Sequence, residues 1–120
     1  MAISVFIYED NNNLRESLCT LFLLTEQFEV TGAFSNCMDV TEQVRKNLPD
    51  IILMDIDMPG LNGIEATALV KSHHPEIKVL ILTSYDDSEK IFDALQSGAT
   101  GYLLKKTTPA KIMDAITEVS

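Results

Sequence analysis

The stretch that decides the fold reads Asp50-Ile-Ile-Leu-Met-Asp55-Ile-Asp57-Met-Pro59-Gly60. Four consecutive apolar residues between two aspartates do not form one face of an amphipathic helix, and their number suits a strand covered on both faces. Pro59 lacks a backbone N–H and Gly60 has unusual conformational freedom, so the chain is expected to turn before a helix begins near Gly63. Asp55 is therefore predicted to lie at the carboxyl end of a buried strand, in the mouth of a loop.

Composition narrows the functional class. The 120 residues have the size of one domain, and a hydrophobic fraction of 46% with 22% charged residues indicates neither disorder nor a membrane span. The formal charge of -9 repels nucleic acid and anionic lipid. The first residues show no secretion-signal pattern. We expect a cytoplasmic domain that contacts neither nucleic acid nor membrane directly.

The cysteines and histidines show no metal-binding pattern. Cys19 and Cys37 fall in predicted helices without CxxC spacing, so we expect reduced, half-buried thiols. His73 and His74 are adjacent rather than four residues apart, which is typical of the polar end of a helix and not of a zinc site.

Strand-like and helix-like segments alternate along the whole chain. Apolar runs predict strands at residues 3–8, 28–34, 51–54, 77–82 and 101–104. Apolar residues recur every three or four positions between and after them, in the sets Leu14, Leu18, Leu21 and Phe22; Val40, Val44 and Leu48; and Ile112, Ala115, Ile116 and Val119, with weaker patterns at 64–71 and 91–95. Such alternation predicts an α/β domain with a parallel sheet and helices on both faces.

Capping residues support these boundaries. The first helix is expected to be capped within Asn11 to Asn13, where Asn13 and Glu16 have capping-box spacing, and Asp86 is placed similarly before the fourth. Thr108-Pro109 predicts the start of the last helix.

Polar side chains follow four of the predicted strands. They are Glu9 and Asp10, then Asp55, then Thr83 and Ser84, then Lys105. The carboxyl ends of parallel strands share one edge of a sheet, where such folds bind ligands. Two carboxylates about 4 Å apart repel by roughly 4 kcal/mol at an effective dielectric near 20, so the edge requires positive charge. The sequence therefore predicts a Mg²⁺ site, with Lys105 as a second, fixed cation.

Together these motifs resemble the receiver domain of a bacterial two-component response regulator. The resemblance covers nearly all of residues 1–120 and rests on four motifs in order: Glu9-Asp10, Asp55 with Met58-Pro59-Gly60-Leu-Asn-Gly63, Leu82-Thr83-Ser84, and Gly98-Ala-Thr-Gly-Tyr-Leu-Leu-Lys105. It implies a flavodoxin-like (βα)5 three-layer sandwich with strand order 2-1-3-4-5.

The resemblance also implies a function. Asp55 would accept a phosphoryl group from a sensor histidine kinase, with Lys105 pairing to a phosphoryl oxygen. The domain would be a signalling switch that assists its own phosphorylation and dephosphorylation rather than an enzyme. Thr83 would donate a hydrogen bond to the phosphoryl group, and Tyr102 would then turn inward.

The same resemblance implies the Mg²⁺ ligands. These would be Asp10, Asp55 and the backbone carbonyl of Asp57, with Glu9 acting through a metal-bound water.

Each residue also has a plain structural interpretation. Glu9 and Asp10 can be solvated helix caps, and Lys106 is an alternative to Lys105. Many receivers place proline directly after this lysine, with a cis bond. Here Pro109 comes later, so a cis bond at this position is in doubt.

A different class of protein shares one motif. Asp55-Ile-Asp57 is a DxD, as in Mg²⁺-dependent phosphatases of the haloacid-dehalogenase type, but there it ends the first strand rather than the third. The ending of the chain resembles receivers that precede a LuxR-type DNA-binding domain, which is absent from these residues. We therefore expect regulation of transcription through such a domain, and a phosphorylation-dependent homodimer through the last helices.

Overall fold

Five strands and five helices alternate in the part of the chain that the computed structural model describes, residues 2–56, 58, 60–84 and 88–120. Their bounds are β1 Ile3–Tyr8, α1 Asn12–Leu23, β2 Phe28–Phe34, α2 Val40–Lys46, β3 Ile51–Asp55, α3 Gly63–His73, β4 Lys78–Thr83, α4 Ser88–Gln96, β5 Gly101–Leu104 and α5 Pro109–Val119. The three sequence expectations at Asp57, Pro59 and Asp86 lie outside the described residues.

The strands form one parallel sheet in the order β2-β1-β3-β4-β5. This is the predicted order. It places β3, the strand that ends in Asp55, at the centre of the sheet. Every residue of β3 is buried, as the apolar run predicted. The carboxyl ends of β1, β3, β4 and β5 therefore meet at one edge.

The core has one layer on each side of the sheet. On one side, Val5, Leu53 and Leu82 pack with Leu18 of α1 and Ile116 of α5. On the other, strand residues pack with α2, α3 and α4, through Phe6, Met54, Val44, Val70 and Ala94. The domain is thus the expected three-layer sandwich.

The expected cap of α1 within Asn11 to Asn13 is confirmed, but the capping box and the helical position of Leu48 were wrong. Asn11, rather than Asn13, caps α1, and its side chain accepts a hydrogen bond from the backbone N–H of Leu14 at 3.0 Å. Asn13 and Glu16 therefore lie inside the helix and form no capping box. Leu48 lies beyond the end of α2 and is 57% exposed, because the following proline disfavours helical backbone at this position.

The expectation for one cysteine also needs correction. Cys37 lies in the connection between β2 and α2, not in a helix, and is completely buried. Cys19 lies in α1 and is half-buried, as expected. The predicted start of α5 is confirmed, because the Thr108 side chain accepts from the Lys111 backbone N–H.

The start of α3 presses against the end of β3. The backbone N–H of Gly63 donates to the Ile56 carbonyl at 3.0 Å. A Cβ atom on Gly63 would lie 2.1 Å from the carbonyl oxygen of Asp55, a distance that no side chain tolerates. Only glycine lets α3 begin this close to the strand that carries Asp55.

The first prediction concerns this contact. Gly63→Ala should lower the free energy of unfolding by about 2–3 kcal/mol, because either the helix or the backbone of Asp55 must shift. Gly101→Ala is the matched control, since its Cβ would meet only a movable side-chain carbon of Leu80 at 3.3 Å, and should cost less than about 1 kcal/mol. Urea unfolding of both variants checks this, and equal losses would contradict the close approach.

Candidate functional site

One edge of the sheet carries the polar residues that follow or end the strands, as the sequence predicted. Glu9, Asp55 and Thr83 are buried, whereas Asp10 is exposed. Glu9 follows β1, Asp55 ends β3, Thr83 ends β4 and Lys105 follows β5.

Lys105 joins two of the carboxylates. Its Nζ atom lies 3.0 Å from Asp55 Oδ2 and 3.0 Å from Glu9 Oε1. Its backbone N–H donates to the Thr83 carbonyl at 2.8 Å, which holds the residue beside the end of β4. Lys106 is exposed, so Lys105 is the lysine that the structure brings to Asp55. The described peptide bonds, including the one after Lys105, are not cis.

Three acidic side chains place carboxylate oxygens where they could bind a hard cation. Carboxylate oxygens of Glu9, Asp10 and Asp55 all lie within 4.8 Å of one another. Among the described residues, no well-oriented donor reaches Glu9 Oε1, although this buried atom lies close to Lys105. Three carboxylates that share only one ammonium, with oxygen atoms this close together, fit Mg²⁺. The expected fourth contributor, the Asp57 carbonyl, lies outside the described residues.

A residue that sequence reasoning missed orders the loop after β1. The Arg15 guanidinium donates to the Glu9 carbonyl at 2.7 Å and to Asn12 Oδ1 at 2.5 Å. The Asn11 backbone N–H donates to Glu9 Oε2 at 3.0 Å. Arg15 lies one turn into α1 rather than at the end of a strand. A search for polar residues at strand ends therefore does not find it.

The family model described as "Response regulator receiver domain" matches residues 5–117. The chain belongs to this family. It is 41% identical over 117 residues to the transcriptional regulatory protein LnrK of Bacillus subtilis, covering 98% of this chain and 53% of the relative. It is 36% identical over 118 residues to the transcriptional regulatory protein DegU of Brevibacillus brevis, covering 98% of this chain and 50% of the relative. This receiver domain spans about half the length of these curated relatives.

Solved structures agree with the family. The signal receiver domain of the putative response regulator NarL from Mycobacterium tuberculosis matches with a TM-score of 0.93 and 30% identity, over 98% of this chain and 95% of that one. A LuxR-family DNA-binding response regulator from Staphylococcus aureus matches with a TM-score of 0.91 and 29% identity, over 98% of each chain. A receiver is a signalling domain, and these comparisons give no support to the phosphatase alternative. No helix in the described part of the chain is long and apolar enough to cross a membrane.

Burial and charge set the acidity of the site. Burial raises the pKa of Asp55 to about 7, and the nearby Glu9 charge acts in the same direction, while Lys105 opposes both. Burial lowers the pKa of the Lys105 ammonium, but its contacts with Glu9 and Asp55 outweigh this and raise it overall. Burial also raises the pKa of Asp10, yet hydrogen bonding with Glu9 and Asp55 and the Lys105 charge lower it overall. Without metal, the buried Asp55 carboxyl therefore loses its proton less readily than an exposed aspartate does.

The two expected switch residues lie at neighbouring strands. Thr83 is buried at the end of β4, next to Leu104 of β5 in the sheet. Tyr102 lies two residues earlier in β5 and is 44% exposed. The structure therefore brings Thr83 to the site edge and leaves the Tyr102 ring partly in solvent.

The second prediction follows from the raised pKa of Asp55. The folded pKa exceeds the unfolded value near 3.9, so ionised Asp55 destabilises the metal-free fold above about pH 7, and this cost disappears as the pH falls to about 4. Asp55→Asn should therefore be more stable than wild type by about 1–3 kcal/mol at pH 8 in EDTA, with a gap that closes toward pH 4.

Urea unfolding across this pH range measures the gap. Asp114→Asn, which changes an exposed carboxylate in α5, is the control and should shift stability by less than about 0.5 kcal/mol. Saturating Mg²⁺ should stabilise wild type more than Asp55→Asn and narrow the gap. A variant less stable than wild type at pH 8, or a gap independent of pH, would contradict this account.

Proposed function

We propose that this receiver domain accepts a phosphoryl group on Asp55 from the phosphohistidine of a sensor histidine kinase. One observation carries the proposal: the buried Asp55 carboxylate ends the central strand with Lys105 Nζ 3.0 Å from its Oδ2 atom. A nucleophile beside a fixed ammonium suits transfer of a group that bears several negative oxygens.

The transfer makes one bond and breaks another. A carboxylate oxygen of Asp55 attacks phosphorus, the bond from phosphorus to the histidine nitrogen breaks, and its electron pair stays on the departing imidazole. The product is an acyl phosphate. The Lys105 ammonium can then exchange its contact with Asp55 Oδ2 for one with a phosphoryl oxygen.

We further propose that Mg²⁺ is the cofactor. Asp10 and Asp55 would bind it directly together with the backbone carbonyl of Asp57, and Glu9 would act through a bound water. When bound, the ion neutralises charge on the transferring phosphoryl oxygens. The cluster of carboxylate oxygens within 4.8 Å of one another, which has Lys105 as its shared ammonium, supports this assignment.

The switch then depends on a new hydrogen bond. The Thr83 hydroxyl would donate to the phosphoryl group, and the Tyr102 ring would move inward, changing the surface formed by α4, β5 and α5. The buried position of Thr83 and the partial exposure of Tyr102 support this sequence of events.

The output of the switch lies outside these residues. Relatives described as transcriptional regulators are about twice as long as this chain, which supports regulation of transcription through a separate DNA-binding domain. The charge of -9 supports a receiver that does not itself contact DNA. We propose that the protein acts in the cytoplasm, forms a phosphorylation-dependent homodimer, and works as a switch rather than as an enzyme with an external substrate.

The third prediction tests the phosphoacceptor. Incubation of wild type with Mg²⁺ and acetyl phosphate should give an acid-stable, hydroxylamine-labile adduct of one phosphoryl group per chain, since the small donor needs no kinase. Asp55→Asn should abolish the adduct, and EDTA should prevent it in wild type. Mass spectrometry of the intact protein measures both.

Asp50→Asn is the matched control. Asp50 precedes the same strand but lies at its opposite end, where it accepts from Ser4. This variant should be labelled like wild type. Labelling of Asp55→Asn would refute the assignment, and steady hydrolysis of unrelated phosphomonoesters would favour the phosphatase instead.

The fourth prediction separates transfer from switching. Thr83→Val keeps the branched shape but removes the hydroxyl, so labelling of Asp55 should persist while the Tyr102 ring no longer moves on phosphorylation. NMR of ¹³C-labelled tyrosine rings measures this, with the completely buried Tyr8 as an internal reference. An unchanged Tyr102 response in the variant would remove Thr83 from the switch.

A further inference from the structure

Two consecutive sulfur side chains hold one peptide segment after the central strand. The Cys37 thiol donates to the Leu61 carbonyl, with Sγ and O 2.8 Å apart. The Leu61 backbone N–H donates to the Met38 thioether, with N and Sδ 3.2 Å apart. We call Cys37, Met38 and the Leu61 backbone the sulfur clamp. Both polar backbone groups of Leu61 are therefore occupied by side chains from the connection between β2 and α2.

Gly60 lies against the same Met38 thioether. Its φ of 82° lies in the left-handed region that favours glycine. A Cβ atom at this position would lie 2.4 Å from Met38 Sδ, so the flexible thioether would have to move away from the loop. The thioether thus lies against the backbone of two adjacent residues, Gly60 and Leu61.

The thiol is in the form that the clamp requires. Cys37 is completely buried, and burial raises its pKa to about 11, with the charges of Glu65 and Asp55 acting in the same direction. At neutral pH it keeps its proton and can donate it.

The clamped segment leads directly to the backbone of Asp55. Asn62, the next residue, caps α3 by accepting from the Glu65 N–H at 2.9 Å. Gly63 follows and packs against the Asp55 carbonyl, while its N–H donates to Ile56 at 3.0 Å. Movement of Leu61 would therefore be transmitted over two residues to the end of β3.

We propose that Cys37 and Met38 are positioning residues for phosphorylation of Asp55, because the sulfur clamp holds the segment 60–63, which packs against the Asp55 backbone, in the position in which Mg²⁺ and the phosphoryl group bind. The inference rests on the proposed function of Asp55. Neither sulfur contacts the reacting atoms, so the clamp acts through the Leu61 backbone. It should affect the concentration of Mg²⁺ required more than the rate of transfer once Mg²⁺ is saturating.

The test removes and restores each sulfur contact. Met38→Leu keeps the volume but removes the acceptor, and Met38→Gln supplies an amide oxygen in its place. Cys37→Ala removes the donor, and Cys37→Ser restores a hydroxyl donor. Met38 is 60% exposed, so its variants are expected to fold even if a cavity at Cys37 destabilises the core. Met113→Leu in α5 and Cys19→Ala in α1 are the matched controls.

The measurement is the Mg²⁺ concentration that gives half-maximal labelling by acetyl phosphate. Met38→Leu and Cys37→Ala should raise it about tenfold, with little change in the rate at saturating Mg²⁺. Met38→Gln and Cys37→Ser should return it toward the wild-type value, and the double variant should be little worse than either single one because both act on Leu61. Hydrogen exchange at the Leu61 amide should accelerate in Met38→Leu and slow again in Met38→Gln.

Failure of this inference is distinguishable from failure of the proposed function. If wild type is not labelled on Asp55, the proposed function is refuted. The inference is then tested by an NMR titration with Mg²⁺ alone, which compares the Mg²⁺ affinity of the same variants. If wild type is labelled and Met38→Leu and Cys37→Ala keep the wild-type Mg²⁺ requirement, the clamp has no positioning role. The clamp would also be refuted if Met38→Leu and Cys37→Ala unfold more easily but keep the wild-type Mg²⁺ requirement. The same holds if Met38→Gln and Cys37→Ser do not restore that requirement. Either result would mean that both residues serve packing alone.

Discussion

The buried carboxylates of Glu9 and Asp55 share the ammonium of Lys105, and the properties of the site follow from this contact. One positive charge offsets only one of two buried negative charges, and Asp10 adds a third carboxylate at the surface. Burying unbalanced charge is costly, so the excess must be relieved by a proton or by a cation. The raised pKa of Asp55 shows that its carboxyl group takes up a proton more readily than an exposed aspartate. In the proposed function, Mg²⁺ is the alternative, because it would leave the Asp55 carboxylate ionised and able to act as a nucleophile.

The fold supplies the stability that keeps this unfavourable arrangement together. The central strand β3 pairs with β1 and β4 along its length and is covered on both faces, so its last residue has little freedom to move away from its neighbours. The close approach of Gly63 fixes the opposite side of Asp55. A parallel sheet with two apolar layers can therefore retain a charge cluster that would be hydrated in an unfolded chain.

The sequence was most informative where the signal is periodic. Strand-length apolar runs predicted β1, β2 and β5 to the residue, and strand ends predicted that Asp55 and Lys105 would meet. Contacts between distant segments have no such signal. The bonds from Cys37 and Met38 to the loop, and from Arg15 to the Glu9 carbonyl, depend on how loops approach one another in three dimensions. The roles assigned to the site residues remain predictions.

The charge excess also suggests how phosphorylation reaches the output surface. In the proposed function, a phosphoryl group on Asp55 competes with Glu9 for the Lys105 ammonium. The backbone of Lys105 is bonded to the carbonyl of Thr83, whose hydroxyl is the expected switch donor. A change in the lysine contact therefore acts at the junction of β4 and β5, next to the strand that carries Tyr102. The Lys105 ammonium, which offsets the carboxylate charge before phosphorylation, would thus link phosphorylation of Asp55 to the surface around Tyr102, where partners would bind.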